Sequence, residues 1–318
     1  MRLMVTMPVP SASNDAAVGI FWKVTSVLFF TLMLTFVKIA GERIPVGQLL
    51  FARNLFGLIP VVVMIAYTGH LHDALRTNNI WGHMRRAMSG MFAMGLWFVA
   101  LQYLPFPEAT AIVYAAPLMM VVLAATVLGE RVRVYRWSAV AVGLVGVAII
   151  MVPQLSEGFD IFGNAASFGA ACALVSAACM ALTAVFVRQL ARSEPTHTIV
   201  IYFLIAGTLV TALTAPTWVV PSWSDAAMLV MIGVLGGVGQ IMVTQAFQHA
   251  EASLIAPFEY TSMIWVIAIG YLVFGEIPTI YVVIGAAIVI GSGIFVIFRE
   301  RQLGLHRAER KMGAPLRP

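Results

Sequence analysis

Apolar runs follow one another along the chain at 19–39, 46–67, 84–103, 109–128, 135–152, 164–187, 198–217, 225–246, 252–274 and 279–298. At a rise of about 1.5 Å per residue, each is long enough to cross a hydrocarbon core of about 30 Å as one α-helix. The polar positions between them collect in short turns with proline, such as Pro105, Pro107, Pro153 and Pro221. The pattern predicts an all-α, polytopic membrane protein of ten transmembrane helices.

The pattern is also written twice. Ala100 to Glu130 lies without a gap on Ala246 to Glu276, with Ala100/Ala246, Gln102/Gln248, Tyr114/Tyr260, Val127/Val273, Gly129/Gly275 and Glu130/Glu276 identical. After the first Gly-Glu come Arg131, Arg133 and Arg136, and after the second Ile277, Thr279 and Val282. The apolar frame is kept while the positive charge is lost, as expected of two copies inserted with opposite orientation. Phe36-Val37-Lys38 matches Phe186-Val187-Arg188, and Pro45 matches Pro195. Each half is therefore five helices, and an odd number makes the second half enter from the opposite side. The expected organisation is an N-terminal tail 1–18, a first repeat 19–152, a linker 153–163, a second repeat 164–298 and a basic tail 299–318.

Composition agrees with this class. The chain is 61% hydrophobic and 10% charged, against about 45–50% apolar and 25% charged in soluble domains. Its net charge of +5 does not point to nucleic acid, because the basic residues are distributed by topology. With the N-terminus placed inside, all the Lys and Arg except Lys38, Arg43 and Arg53 fall on the inner side, so both termini are expected in the cytoplasm. Trp218 and Trp223 fit the outer interface, and Trp22, Trp81 and Trp137 the inner one. Cys172 and Cys179 lie seven residues, about 10 Å, apart on one helix, too far for a disulfide. The first run carries Lys23 and exceeds a signal-peptide core in length, so it reads as the first span. His70, His72 and His83 lack a Cys or Glu-x-x-His partner and read as solvated loop histidines, leaving no metal site.

The two five-helix halves, the closing Gly129-Glu130 and Gly275-Glu276, and the proline or small-residue turn before an aliphatic helix resemble the EamA family of the drug/metabolite transporter superfamily. Lys38, Glu42 to Pro45, Gln48, Phe51 to Arg53, Arg86, Trp97 and Pro117 are similar to the branch of S-adenosylmethionine uptake and riboflavin transporters. The resemblance implies the fold of that superfamily and small-metabolite cargo, without naming the cargo. The second copy departs from the pattern with Met263 in place of Pro117 and Pro257 six residues earlier, which shifts the expected break in the ninth helix.

Charge inside a span is the strongest local clue, since it costs roughly 2.5–3.5 kcal/mol at helix centre. Arg53 lies about 10 Å into the second helix and Glu259 about 12 Å into the ninth. Arg53 is expected to hold an anionic group and Glu259 a cationic group or a proton; the competing reading is a structural ion pair or a snorkelling arginine. Lys38 and Arg188, at equivalent helix ends, either snorkel or act as charged gates. Trp97 and Trp265, with Tyr114, Tyr260, Phe98 and Phe258, offer an aromatic wall for planar or cationic cargo. Gln240 is the deepest of several glutamines, and the glycines around it allow close helix approach.

The expected function is a secondary active transporter of the inner membrane, working by alternating access on S-adenosylmethionine, riboflavin or a similar aromatic or cationic metabolite. The proton is the candidate coupling ion, and no cofactor is required. Its partners are the cargo, the lipid bilayer and, as a monomer or homodimer, itself. An exporter of amino acids or toxic metabolites is the alternative. A membrane-embedded enzyme or passive subunit is a different class, and the chain carries neither a Walker motif nor a His-Glu-x-x-His or paired-aspartate constellation.

Overall fold

The computed structural model describes residues 12–69, 74–126, 134–153, 163–190, 193–249 and 256–312, and every regular element among them is helical. In chain order these are α1 (Ala12–Gly41), α2 (Val46–Tyr67), α3 (Ile80–Tyr103), α4 (Phe106–Val113), α5 (Ala115–Thr126), α6 (Val134–Ile150), α7 (Ala165–Leu190), α8 (Thr196–Ala212), α9 (Trp223–His249), α10 (Ser262–Phe274) and α11 (Ile280–Met312). They make ten spans. The fourth is α4 and α5 in series, and the ninth is a 3-10 stretch, Ala256–Thr261, running into α10.

Proline chemistry sets the breaks. The Pro117 ring conflicts with the carbonyl four residues earlier, at Val113, and the fourth span turns at Tyr114. In the ninth span no proline stands at Met263, and Pro257 instead opens the 3-10 stretch. Helix α8, the seventh span, stops at Ala212, short of the expected 217, because Pro216 forms the turn Ala215–Thr217. The last helix runs past 298 to Met312, since the basic segment holds mostly helix-favouring residues.

The neighbours of each helix reveal the two-fold arrangement. Helix α1 packs along α9 and α3 along α7, while α2 faces α8, α4 faces α10 and α6 faces α11. Exchanging the two halves maps this set of contacts onto itself, as inverted repeats require. Close backbone approach holds the pairs together, because lipid removes the hydrophobic drive between helices. A Cβ on Gly237 would stand 2.5 Å from the Gly57 carbonyl oxygen, and one on Gly285 2.5 Å from that of Gly146. Large apolar side chains such as Val63, Leu209, Val145 and Leu272 cover the outside, where the solvent is hydrocarbon. Ten spans return Ala12 and Met312, the two ends of the described part, to one face, the terminal face.

Candidate functional site

A cavity of about 280 Å³ lies on the seam between the halves. Its polar lining comes from Arg53 on α2, Arg86 and Trp97 on α3, Thr183 on α7, Gln240 on α9 and Glu259 in the 3-10 stretch, with Phe203 of α8 among the apolar walls. On α3 the residues Arg86, Gly90, Ala93 and Trp97 all face it. Their spacing of four, three and four places them on one side of a helix.

Two of these groups are arginines buried within the spans. Arg53 is 2% exposed and Arg86 7%. They enter from opposite faces, each about 10 Å along its helix, and meet at one aromatic ring. The Arg86 guanidinium carbon is 3.7 Å from the centre of Phe203 and that of Arg53 5.4 Å. Phe203 thus receives two cation–π contacts. Arg53 Nη1 donates to Asn54 Oδ1 at 3.2 Å. Arg53 Nε, Arg86 Nε and Nη1 and the indole Nε1 of Trp97 are buried without a hydrogen-bond acceptor. Among the described residues neither arginine has a carboxylate within 4.0 Å. Room for these groups is made by glycine: a Cβ at Gly236 would stand 3.3 Å from Arg53 Nε, and one at Gly90 3.1 Å from the Phe203 ring.

Glu259 pairs with Lys23 of α1, not with Arg53. The Lys23 side chain is 7% exposed and that of Glu259 50%, so the pair sits at the rim of the cavity toward the terminal face. Fifteen residues further along α1, about 22 Å, Lys38 makes the second such bridge. Its Nζ is 2.9 Å from Glu276 Oε1 and donates to the Leu104 carbonyl at 2.7 Å. Glu276 Oε2 accepts the amide of Phe106 at 2.7 Å, which satisfies an orphan donor at the N-terminus of α4. Gly275 aims this carboxylate. Its φ of 65° closes α10 in the left-handed conformation that glycine adopts without strain, and the chain turns toward α1.

On the terminal face the two halves also meet through Glu194, which precedes α8. It accepts from Thr77 Oγ1 at 2.6 Å and the Asn78 amide at 3.2 Å, and stands 3.8 Å from His83 Nε2. Burial pushes the carboxyl up, but these hydrogen bonds and His83 outweigh it and hold Glu194 below its ordinary value. His83 itself is buried, stacked at 4.5 Å on Tyr202, and is not a solvated loop histidine. His70 and His72 lie outside the described residues.

The structure therefore gathers Arg53, Trp97, Gln240 and Glu259 around one cavity. Tyr114 and Tyr260 are buried elsewhere, against each other, and Trp265 lies on α10 away from the lining. The side chains of Arg188 and Gln248 lie outside the described residues, as do Gly129 and Glu130. Arg86 and Lys23 are not among the site residues expected from the sequence: both fall with the basic residues of the inner side, Arg86 also within the motif that carries the family resemblance. The signal for Arg86 was present in its helical phase with Trp97.

A family profile described as the EamA-like transporter family matches the chain twice, over residues 17–152 and 167–299. The chain belongs to the EamA-like transporter family. This EamA-like protein is accordingly a multi-pass membrane transporter and not an enzyme. It is 25% identical to an S-adenosylmethionine uptake transporter of Rickettsia prowazekii, over 89% of its own length and 94% of the relative's. It is 26% identical to a pseudopaline exporter of Pseudomonas aeruginosa, over 86% and 93%, and 26% identical to a riboflavin transporter of Rhizobium johnstonii, over 94% and 95%. A crystal structure superposes on it with a TM-score of 0.62, covering 92% of this chain and 99% of that one at 22% identity. That match shows a shared fold. In the EamA-like frame the two matched segments are the two five-span halves, and the cavity lies where they meet.

Proposed function

We propose that the chain is a secondary active transporter of the inner membrane, with both termini in the cytoplasm, carrying a small organic metabolite by alternating access between its two halves. The single observation behind this is the cavity at the seam, lined from both halves, with Glu259 of the ion pair Lys23–Glu259 in its wall. Inverted repeats place cargo at their interface near mid-membrane, and rocking one half against the other exposes it to each side in turn. At about 280 Å³ the cavity is just below the usual range of ligand pockets, about 300–1,000 Å³, which suits a small metabolite rather than a peptide.

Lys38–Glu276 closes the face opposite the termini, because it ties α1 to α3, α4 and α10 together. Glu259, at the other rim, is the group whose proton the cycle exchanges, with Lys23 as its partner when ionised. Direction follows the gradient to which the carrier couples, and relatives named for uptake and for export share this architecture. S-adenosylmethionine, riboflavin and pseudopaline make the first screening panel, since a true ligand raises apparent stability by mass action. The coupling role is tested in proteoliposomes with an imposed pH gradient. Glu259→Gln is expected to abolish gradient-driven accumulation while leaving counterflow exchange intact. Wild-type rates with an unchanged pH dependence would falsify it.

A further inference from the structure

We infer that the cargo is an organic dianion, a metabolite with two carboxylates or one doubly charged phosphate ester, clamped between Arg53 and Arg86 over the face of Phe203. This deepens the carrier reading and rests on it. The argument is one of charge balance. A lone buried charge is so costly that buried charges are paired, coordinated or neutralised, yet neither of the two buried guanidiniums that line this cavity has a carboxylate of the described residues within 4.0 Å. Glu259 does not supply the missing charge, because Lys23 already engages it. The site and its rim therefore carry an excess of two positive charges, and a bound group of charge near −2 balances them.

Hydrogen bonding leads to the same class by a separate route. Among the residues that line the cavity, the buried polar atoms left without a partner are Arg53 Nε, Arg86 Nε and Nη1 and Trp97 Nε1, all donors. Guanidinium groups donate and never accept, so where two of them meet they select a ligand group that accepts, and carboxylate and phosphate oxygens are such acceptors. Guanidinium binds them through two parallel N–H···O bonds, a fork that lysine lacks. Phe203 fixes the two forks relative to each other by stacking with both. The remaining wall, which includes Phe30, Met33, Phe98 and Met180, receives the apolar part of the cargo. A purely cationic metabolite meets two like charges here, so the arginine pair turns the expectation of cationic cargo around.

The test uses the purified full-length chain in detergent at constant ionic strength. Thermal unfolding is followed with succinate, citrate and glycerol 3-phosphate as multiply charged probes, acetate and chloride as single charges, and putrescine as a dication. The expected result is a melting shift with at least one multiply charged probe, a smaller one with acetate, and none with putrescine. Arg53→Gln and Arg86→Gln should each weaken that probe's affinity at least tenfold, while Arg53→Lys, which keeps charge without the fork, falls between. Without ligand, both glutamine variants should melt no lower than the parent chain, since each removes an unpaired buried charge. The inference is overturned if no multiply charged probe shifts the transition, if chloride alone produces the whole effect, if putrescine stabilises as well, or if the glutamine variants melt below the parent. Transport of a neutral or cationic metabolite that survives Arg53→Gln and Arg86→Gln would sink the dianion but leave the carrier; absence of any transport would sink the carrier itself.

Discussion

Tyr114 and Tyr260 meet edge to face, with ring centres 5.3 Å apart and planes at 83°. They are the same residue of the two repeats, one at the break in the fourth span and the other in the 3-10 stretch of the ninth. Equivalent residues touch each other only on a two-fold axis, so this contact marks where that axis runs. Edge-to-face pairs gain about 0.5–1.5 kcal/mol beyond burial. Tyr114 also shares a hydrogen bond with Ser262 Oγ.

Tyr260→Ala is expected to lower stability by about 3 kcal/mol, and Tyr114→Phe by about 1 kcal/mol through the lost hydroxyl contact. Denaturation in detergent measures both. Cargo affinity per folded molecule should stay unchanged, since neither ring lines the cavity.

Breaking the Lys38–Glu276 bridge should loosen the face opposite the termini. A cysteine at Ala93 in the cavity, with Cys172 and Cys179 replaced by serine, reports access through its labelling rate with a membrane-impermeant thiol reagent. Lys38→Met and Glu276→Gln should each accelerate labelling from that face and cost about 1–3 kcal/mol. The exchanged pair, Lys38→Glu with Glu276→Lys, should recover part of the slow rate.

Gly237 and Gly291 should behave oppositely when substituted by alanine. At Gly237 the new methyl meets the Gly57 carbonyl and the Pro60 ring at 2.5 Å, whereas at Gly291 nothing lies within 4 Å. Gly237→Ala should cost about 1–3 kcal/mol through overpacking of α9 on α2, and Gly291→Ala should be neutral within measurement. Equal effects would show that α9 and α2 do not cross where the structure places them.

Acid should release the contact between Glu194 and the segment before α3. The Glu194 carboxyl sits below its ordinary value of 4.5, so the folded state binds its proton less readily than the unfolded chain. By linkage, this contribution is fully present above the ordinary value and is lost as pH falls through the depressed one. Amide exchange at Asn78 should accelerate relative to other amides across that window. In Glu194→Gln the relative acceleration should be absent.

How far the chain could be read without coordinates follows from which information is local. Span number, the duplicated halves, their contrary insertion, the family and the membrane setting were all legible, because hydropathy runs and proline positions act over a few residues. Arg53, Glu259, Trp97 and Gln240 were legible as candidates because polarity within an apolar run has a visible cost. The partners of those groups were not. A soluble helix shows its buried side by the contrast between apolar and polar faces; a helix in lipid is apolar all round, so the sequence does not say which residues turn inward. Only the packing of α1 against the ninth span gave Glu259 to Lys23, and only the convergence of α2, α3 and α8 brought Arg86 beside Arg53 at Phe203. Charge placement along the chain was thus determined by the sequence itself, and charge pairing across it by the tertiary structure, because Coulomb and hydrogen-bond contacts depend on distances between residues far apart in the chain.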